Sequence, residues 1–323
     1  MRILVIRLSS IGDIILTTPV LKALRERYPH ARIDYLVMDR FKDAIEGIPW
    51  IDNLIQFPKE SCRGIHGLIR FADGLARNRY DMVIDLHAKF RSRVIARRLK
   101  AEVIRYRKRT WWKSILVPLH LMTYHVDDTI VRNYFRPLAK IDIHYTEEKL
   151  FFHFEDSDLA AVPDLGEFMV MAPGAANETK KWPLEYFSRL GCLIDGNIAL
   201  VGEKLEFASF ESIRQAIGGR CKNLAGKLSL KESGALISRA SFVITNDSGP
   251  FHISRGVGTK AFVLFGPTDP AMFTYDESTV LLYERLDCSP CSLHGDRTCP
   301  RGHFKCMLNL TPEKVLQVIR QHL

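Results

Sequence analysis

Short apolar runs rich in β-branched residues alternate along the chain with longer segments whose hydrophobic positions recur at helical spacing. In the first half this pattern predicts strands over 3–7, 33–37, 82–86 and 103–106. It also predicts a helix over 13–28, where Ile14, Ile15, Thr18, Leu21 and Leu24 share one face and Pro29 helps to stop the helix. A second series begins near Glu167, with strands predicted over 168–172, 198–202, 242–245 and 261–265 and helices over 184–194, 204–217 and 231–239. The stretch 155–166 between them, rich in Asp and carrying Pro163 and Gly166, reads as a linker.

Strands that alternate with helices specify α/β domains wound on parallel sheets. The expected architecture is two Rossmann-like doubly wound domains, 1–155 and 167–323, facing a central cleft, with the C-terminal helix free to pack back on the N-terminal domain. A chain of 323 residues suits two cores of this size. In such folds ligands gather beyond the carboxyl ends of the parallel strands, so the turns at those ends are where chemistry is expected.

Charge narrows the choice of partner. The net charge is +9, and residues 1–155 hold 28 Lys and Arg against 18 Asp and Glu, whereas 156–323 hold 18 against 19. The first half therefore expects an anionic partner: nucleic acid, anionic lipid or a phosphorylated glycan. No segment approaches the roughly 20 uncharged apolar residues that span a bilayer. Arg7 interrupts the N-terminal apolar run too early for a signal peptide, and the expected location is the cytoplasm.

Four turns carry candidate chemistry. The first predicted strand runs into Arg7-Leu8-Ser9-Ser10-Ile11-Gly12-Asp13, a strand–loop–helix turn without the three glycines of a dinucleotide fingerprint. Asp13 there is either a helix-capping carboxylate or a general base. The second domain opens with Pro173-Gly174-Ala175-Ala176 followed by Lys180-Lys181-Trp182-Pro183. Its small residues admit a ligand to the backbone, and a lysine there can neutralise a phosphate or serve as an ordinary surface charge. Asn246-Asp247-Ser248-Gly249-Pro250-Phe251-His252 enters a helix whose N-terminal amides suit a diphosphate, although Asp247 and Ser248 also suit capping. Phe265-Gly266-Pro267-Thr268-Asp269-Pro270 makes a further turn at a strand end.

Taken together these segments resemble the lipopolysaccharide heptosyltransferases, glycosyltransferase family 9. The resemblance rests on Arg-Leu-Ser-Ser-Ile-Gly-Asp with its Thr-Thr-Pro helix, the Pro-Gly…Lys-Lys-Trp-Pro loop, Asn-Asp-Ser-Gly-Pro-x-His and Phe-Gly-Pro-Thr-Asp-Pro, and it covers nearly the whole chain. It implies a GT-B fold and inverting transfer of heptose from ADP-L-glycero-D-manno-heptose to Kdo or heptose of the lipopolysaccharide inner core, at the inner face of the cytoplasmic membrane. It also implies an acceptor-binding first domain and a nucleotide-sugar-binding second domain. Asp13 matches the family's catalytic base and Lys180 its diphosphate lysine. Gly12, Gly174, Ala175, Ala176, Asp247, Ser248, Gly249 and His252 fall in donor-binding positions. Ala175 and Ala176 depart from members that carry hydroxyl residues there, so backbone contacts would serve instead. Transfer on this reading needs no cofactor.

Eleven basic residues lie between Lys89 and Lys113, against the single acid Glu102, and Trp111 and Trp112 follow. Arg91, Arg93 and Arg97 are the expected acceptor contacts, and the tryptophans suit a membrane interface beside an anionic glycolipid. Nucleic acid is not expected, since no recognised RNA-binding motif accompanies the charge. Finally, Cys288, Cys291, Cys299 and Cys306 lie within nineteen residues with His294 and His303 nearby, a spacing open to a structural zinc or iron, to free thiols or to a disulfide. The competing readings are a transferase for another nucleotide sugar, a sugar-nucleotide epimerase of related fold and, in a different class, an RNA-binding protein.

Overall fold

The computed structural model describes residues 1–60, 62–106, 126–147 and 149–323. They divide into two compact units, the first within Met1–Arg109 and Asp128–His153 and the second within Thr110–Asp127 and Phe154–Leu323. The tryptophan pair Trp111 and Trp112 lies outside the described residues.

The first unit is built on a parallel sheet of β1 (Arg2–Ile6), β2 (Arg32–Met38), β3 (Asn53–Phe57), β4 (Met82–Asp85) and β5 (Glu102–Arg105), in the order β3-β2-β1-β4-β5. Chain order runs from β1 outward through β2 and β3, then returns to β4 and β5 on the opposite side, so the winding reverses between β1 and β4. A crevice opens at such a reversal. Helices α1 (Ile11–Ile15), α2 (Thr18–Arg27), α3 (Gly64–Ala76) and α4 (Phe90–Arg98) flank the sheet. On one face Leu4, Ile6, Val83, Leu68, Ala72, Leu75 and Ile95 form a shared core.

The single helix expected over 13–28 is broken. Pro19 has no N–H to give the Ile15 carbonyl, and the Thr18 hydroxyl donates to that carbonyl instead at 2.8 Å. The Thr17 hydroxyl does the same for Ile14 at 2.6 Å. The result is a short α1 that carries Asp13, followed by α2 with proline in its first turn.

The second unit has a six-stranded parallel sheet in the order β11-β10-β9-β6-β7-β8. Its strands are β6 (Phe168–Ala172), β7 (Asn197–Leu200), β8 (Cys221–Asn223), β9 (Val243–Asn246), β10 (Ala261–Phe265) and β11 (Thr279–Tyr283). Here the winding reverses between β6 and β9. The expected linker is instead part of this unit: it holds the helix Asp156–Ala161, whose Asp158 side chain accepts the Glu155 N–H at 2.8 Å. Acids in a first turn favour a helix through its dipole, so the Asp-rich composition marked a helix start rather than a tether.

The last helix, Pro312–His322, packs on Leu184–Leu193 of the same unit, with Val315, Leu316 and Ile319 in that unit's core. Glu313 pairs there with Arg189 at 2.5 Å. No helix among the described residues is long and apolar enough to cross a membrane.

Candidate active site

Both units place their candidate side chains at the winding reversals. In the first, the chain leaves β1 through Arg7, whose guanidinium is buried at 8% exposure. Its Nε donates to the Ser9 carbonyl at 2.8 Å, its Nη1 to the Leu86 carbonyl beyond β4 at 2.7 Å, and its Nη2 lies 2.6 Å from Asp13 Oδ2. The Tyr134 ring stands 5.6 Å from the guanidinium carbon. Asp13 Oδ2 also accepts the Ser10 N–H at 3.2 Å and the Ser10 hydroxyl at 3.0 Å. The capping role and the role of a fixed carboxylate are thus both present in one side chain.

Burial alone would raise the Asp13 pKa, but the charge of Arg7 and the hydrogen bonds from Ser10 and Arg7 outweigh it and bring the carboxyl down to about 2. Asp13 keeps a third of its side chain exposed, so an ionised oxygen remains within reach of solvent or substrate. Gly12, by contrast, is buried, a backbone element of α1.

In the second unit β6 ends at Ala172 and β9 at Asn246. The Asn246 side chain joins these ends, its Nδ2 donating to the Pro173 carbonyl at 2.6 Å and its Oδ1 accepting the Trp182 N–H at 3.0 Å. Trp182 is fully buried and donates its indole N–H to Leu310 at 2.8 Å, which anchors the loop that bears Lys180. Lys180 Nζ lies 2.5 Å from Asp247 Oδ2. Asp247 accepts the Thr268 hydroxyl at 2.9 Å as well. Burial would raise its carboxyl, but Lys180 and these hydrogen bonds hold it below the ordinary value. Ser248 forms the N-cap of the helix Gly249–Val257, with Ser248 and Gly249 half-exposed and His252 buried in the helix's first turns. Gly174 and Ala175 are half-exposed and Ala176 exposed at the end of β6, so the backbone is accessible there.

Three features went unseen in the sequence. The Arg7 clasp was hidden because a charged residue at the end of a buried strand gives no spacing signal. Glu206 was another: its half-buried carboxylate fills the space that a Cβ on Gly174 would need, so a carboxylate borders the small-residue turn. Burial raises its pKa. The third is the backing of the Lys180 loop by the Cys-rich segment. Thr179 N–H donates to the Asp296 carbonyl at 3.1 Å, Asp296 N–H to the Thr179 hydroxyl at 2.8 Å, and Asn177 to the His294 carbonyl at 2.7 Å. Gly295, at φ +82°, packs against the Lys180 stem where a side chain would collide.

The four cysteines of that segment are free thiols. Among the described residues no three His, Cys, Asp or Glu side chains converge as a metal would require. Cys288 Sγ meets His303 Nε2 at 3.7 Å, and burial together with the neighbouring cysteines pushes the Cys291 and Cys306 thiols up to about 11 and about 12. Arg91, Arg93 and Arg97 stand exposed on α4, whereas their neighbour Arg98 pairs with Asp73 of α3 at 2.6 Å.

The sequence pattern of Glycosyltransferase family 9 (heptosyltransferase) matches residues 68–300. The chain is 25% identical over 320 residues to lipooligosaccharide heptosyltransferase 2 of Campylobacter jejuni, covering 95% of this chain and 93% of that one. Its fold is similar to that of a family 9 glycosyl transferase from Veillonella parvula, with a TM-score of 0.82, 22% identity and coverage of 99% and 96% of the two chains. An Escherichia coli heptosyltransferase solved with ADP-2-deoxy-2-fluoro heptose aligns with a TM-score of 0.73 and 20% identity over the full length of both. The two-sheet GT-B fold expected from the motifs is the fold found, and the enzyme belongs to glycosyltransferase family 9, the heptosyltransferases.

Proposed function

We propose that the enzyme transfers heptose from ADP-L-glycero-D-manno-heptose, with inversion, onto Kdo or heptose of the lipopolysaccharide inner core. The observation that carries this reading is the placement of Asp13 at the β1/β4 reversal and of Lys180 and Asp247 at the β6/β9 reversal, where parallel sheets hold ligands. The E. coli neighbour solved with an ADP-heptose analogue supports the choice of donor.

Chemically, Asp13 accepts the proton of the attacking hydroxyl as the new glycosidic bond forms and the bond to the ADP oxygen breaks. Lys180 and the amide end of the helix Gly249–Val257 balance the negative charge that grows on departing ADP. Gly174, Ala175 and Ala176 admit the donor to the backbone, and Glu206 beside Gly174 suits a ribose hydroxyl. Arg91, Arg93 and Arg97 meet the anionic acceptor, which keeps the enzyme at the inner membrane face as a peripheral protein. The positive groups on the diphosphate do the work of a cation, so the transfer step needs no metal.

Mixing purified enzyme with ADP-heptose and deacylated core oligosaccharides tests this directly. Released ADP and an α-linked heptose in the product are expected. Thermal stabilisation by ADP above that by UDP or GDP is expected too, since a ligand selective for the native state raises the melting temperature. Equal stabilisation by all three nucleotides, with no transfer, would overturn the reading.

A further inference from the structure

His87 lies two residues beyond the end of β4, on the other side of the β1/β4 reversal from Asp13. It is 7% exposed, and its Nδ1 is buried without a hydrogen-bond partner among the described residues. A buried polar atom left unpaired is costly, and in native structures such exceptions cluster where something else completes the bond. The turn that carries it is pinned on every side. Asp85 Oδ1 accepts the N–H groups of His87 at 3.2 Å and Ala88 at 2.9 Å, Asp85 Oδ2 accepts from Arg105 at 2.8 Å, and the Leu86 carbonyl takes the Arg7 Nη1 proton. Ala88 is forced to φ +52°, a left-handed conformation that side-chain-bearing residues adopt under constraint and that is over-represented at ligand sites. Exposed Lys89, Phe90 and Arg91 follow at the start of α4.

We infer that His87 is an acceptor-binding residue, its imidazole hydrogen-bonded to a hydroxyl of a sugar whose neighbouring anionic group lies against Lys89 and Arg91. This extends the heptosyltransferase reading and rests on it for the identity of the acceptor. The charged groups around the ring are Arg7 from the end of β1, Asp13 from α1, and Lys89 and Arg91 from the start of α4. Burial, and then the positive charges of Arg7 and Lys89, push the imidazole down to about 3, so it is neutral at any working pH. A neutral ring offers one donor and one acceptor, the complement of a hydroxyl, and carries no charge that would compete with Asp13 for its proton.

The test uses the full-length enzyme and two probes, deacylated core oligosaccharides that end in Kdo or in heptose. In His87→Phe the Kd for the matching oligosaccharide should rise about tenfold, with ADP affinity unchanged. His87→Gln, which restores a donor and an acceptor, should recover part of that loss. In the wild-type protein the His87 ring nitrogens should shift in 15N spectra when the oligosaccharide is added, a readout that does not depend on any variant folding. Stationary ring resonances, or an unchanged oligosaccharide Kd in His87→Phe, would overturn the inference; so would a loss of ADP affinity equal to the loss of acceptor affinity. Oligosaccharide binding that needs His87 in an enzyme that transfers no heptose would leave the inference standing and remove the heptosyltransferase reading. Transfer that ignores His87 would do the reverse.

Discussion

Arg7 Nη2 stands 2.6 Å from Asp13 Oδ2, and two backbone carbonyls hold the same guanidinium in place. The arginine therefore fixes the carboxylate in both position and charge. An ionised carboxylate is thereby held across the working pH range, and in the proposed role of base it trades basic strength for constant charge, because the carboxyl sits at about 2.

The sign of the pH effect follows. The folded pKa of Asp13 lies below its ordinary value near ~3.9, so the pair stabilises the fold above about pH 4 and the contribution fades as pH falls toward 2. In a pH–rate profile of kcat/KM the wild type should show no acid limb from Asp13 above pH 4. Arg7→Met should bring that limb up by at least one pH unit. Profiles that superimpose would show that Arg7 does not set the charge of Asp13.

Asp13→Ala should lower kcat by about 10²–10⁴-fold, the usual worth of a positioned general base, while ADP still binds. Single-turnover rates and ADP calorimetry measure the two effects separately. Near-normal turnover would take Asp13 out of the reaction.

Lys180→Ala should lower kcat by roughly 10²-fold or more and weaken donor binding, as expected for a group that meets charge on a leaving diphosphate. Asp247→Asn should cost less, because its effect passes through the position of Lys180. The double variant should be no worse than Lys180→Ala alone, since partners in one ion pair are not additive. A double variant whose losses sum would mean that Asp247 meets the donor independently.

Chelators should leave both turnover and melting temperature unchanged. Metal analysis of freshly purified enzyme should find zinc and iron well below one equivalent, since among the described residues no three His, Cys, Asp or Glu side chains converge. A melting temperature that drops on chelation would restore a structural metal to the Cys-rich segment.

The interior of the fold was legible because buried parallel strands read as continuous apolar runs. β6 and β10 were read to the residue. The strands that escaped notice, β3, β8 and β11, are all at sheet edges. In β3 exposure mixes polar residues into the run, as Asn-Leu-Ile-Gln-Phe, and β8 has only the three residues Cys-Lys-Asn; β11, Thr-Val-Leu-Leu-Tyr, is a strand-like run that edge exposure does not explain. Asp13, Lys180 and Asp247 could be named from motifs, since each sits within eight residues of a strand end. Their partners could not. Arg7 holds Leu86 across 79 residues and Thr179 holds Asp296 across 117, and no local periodicity reports contacts at such separations.

That last separation also sets an order of completion on the ribosome. The surroundings of Asp13 are complete once Tyr134 has been made. Lys180 must wait for Asp247, Thr268 and finally Asp296. A nascent chain thus fixes the Asp13 carboxylate well before the Lys180 loop, and a product cut short near residue 290 would retain the one without the other.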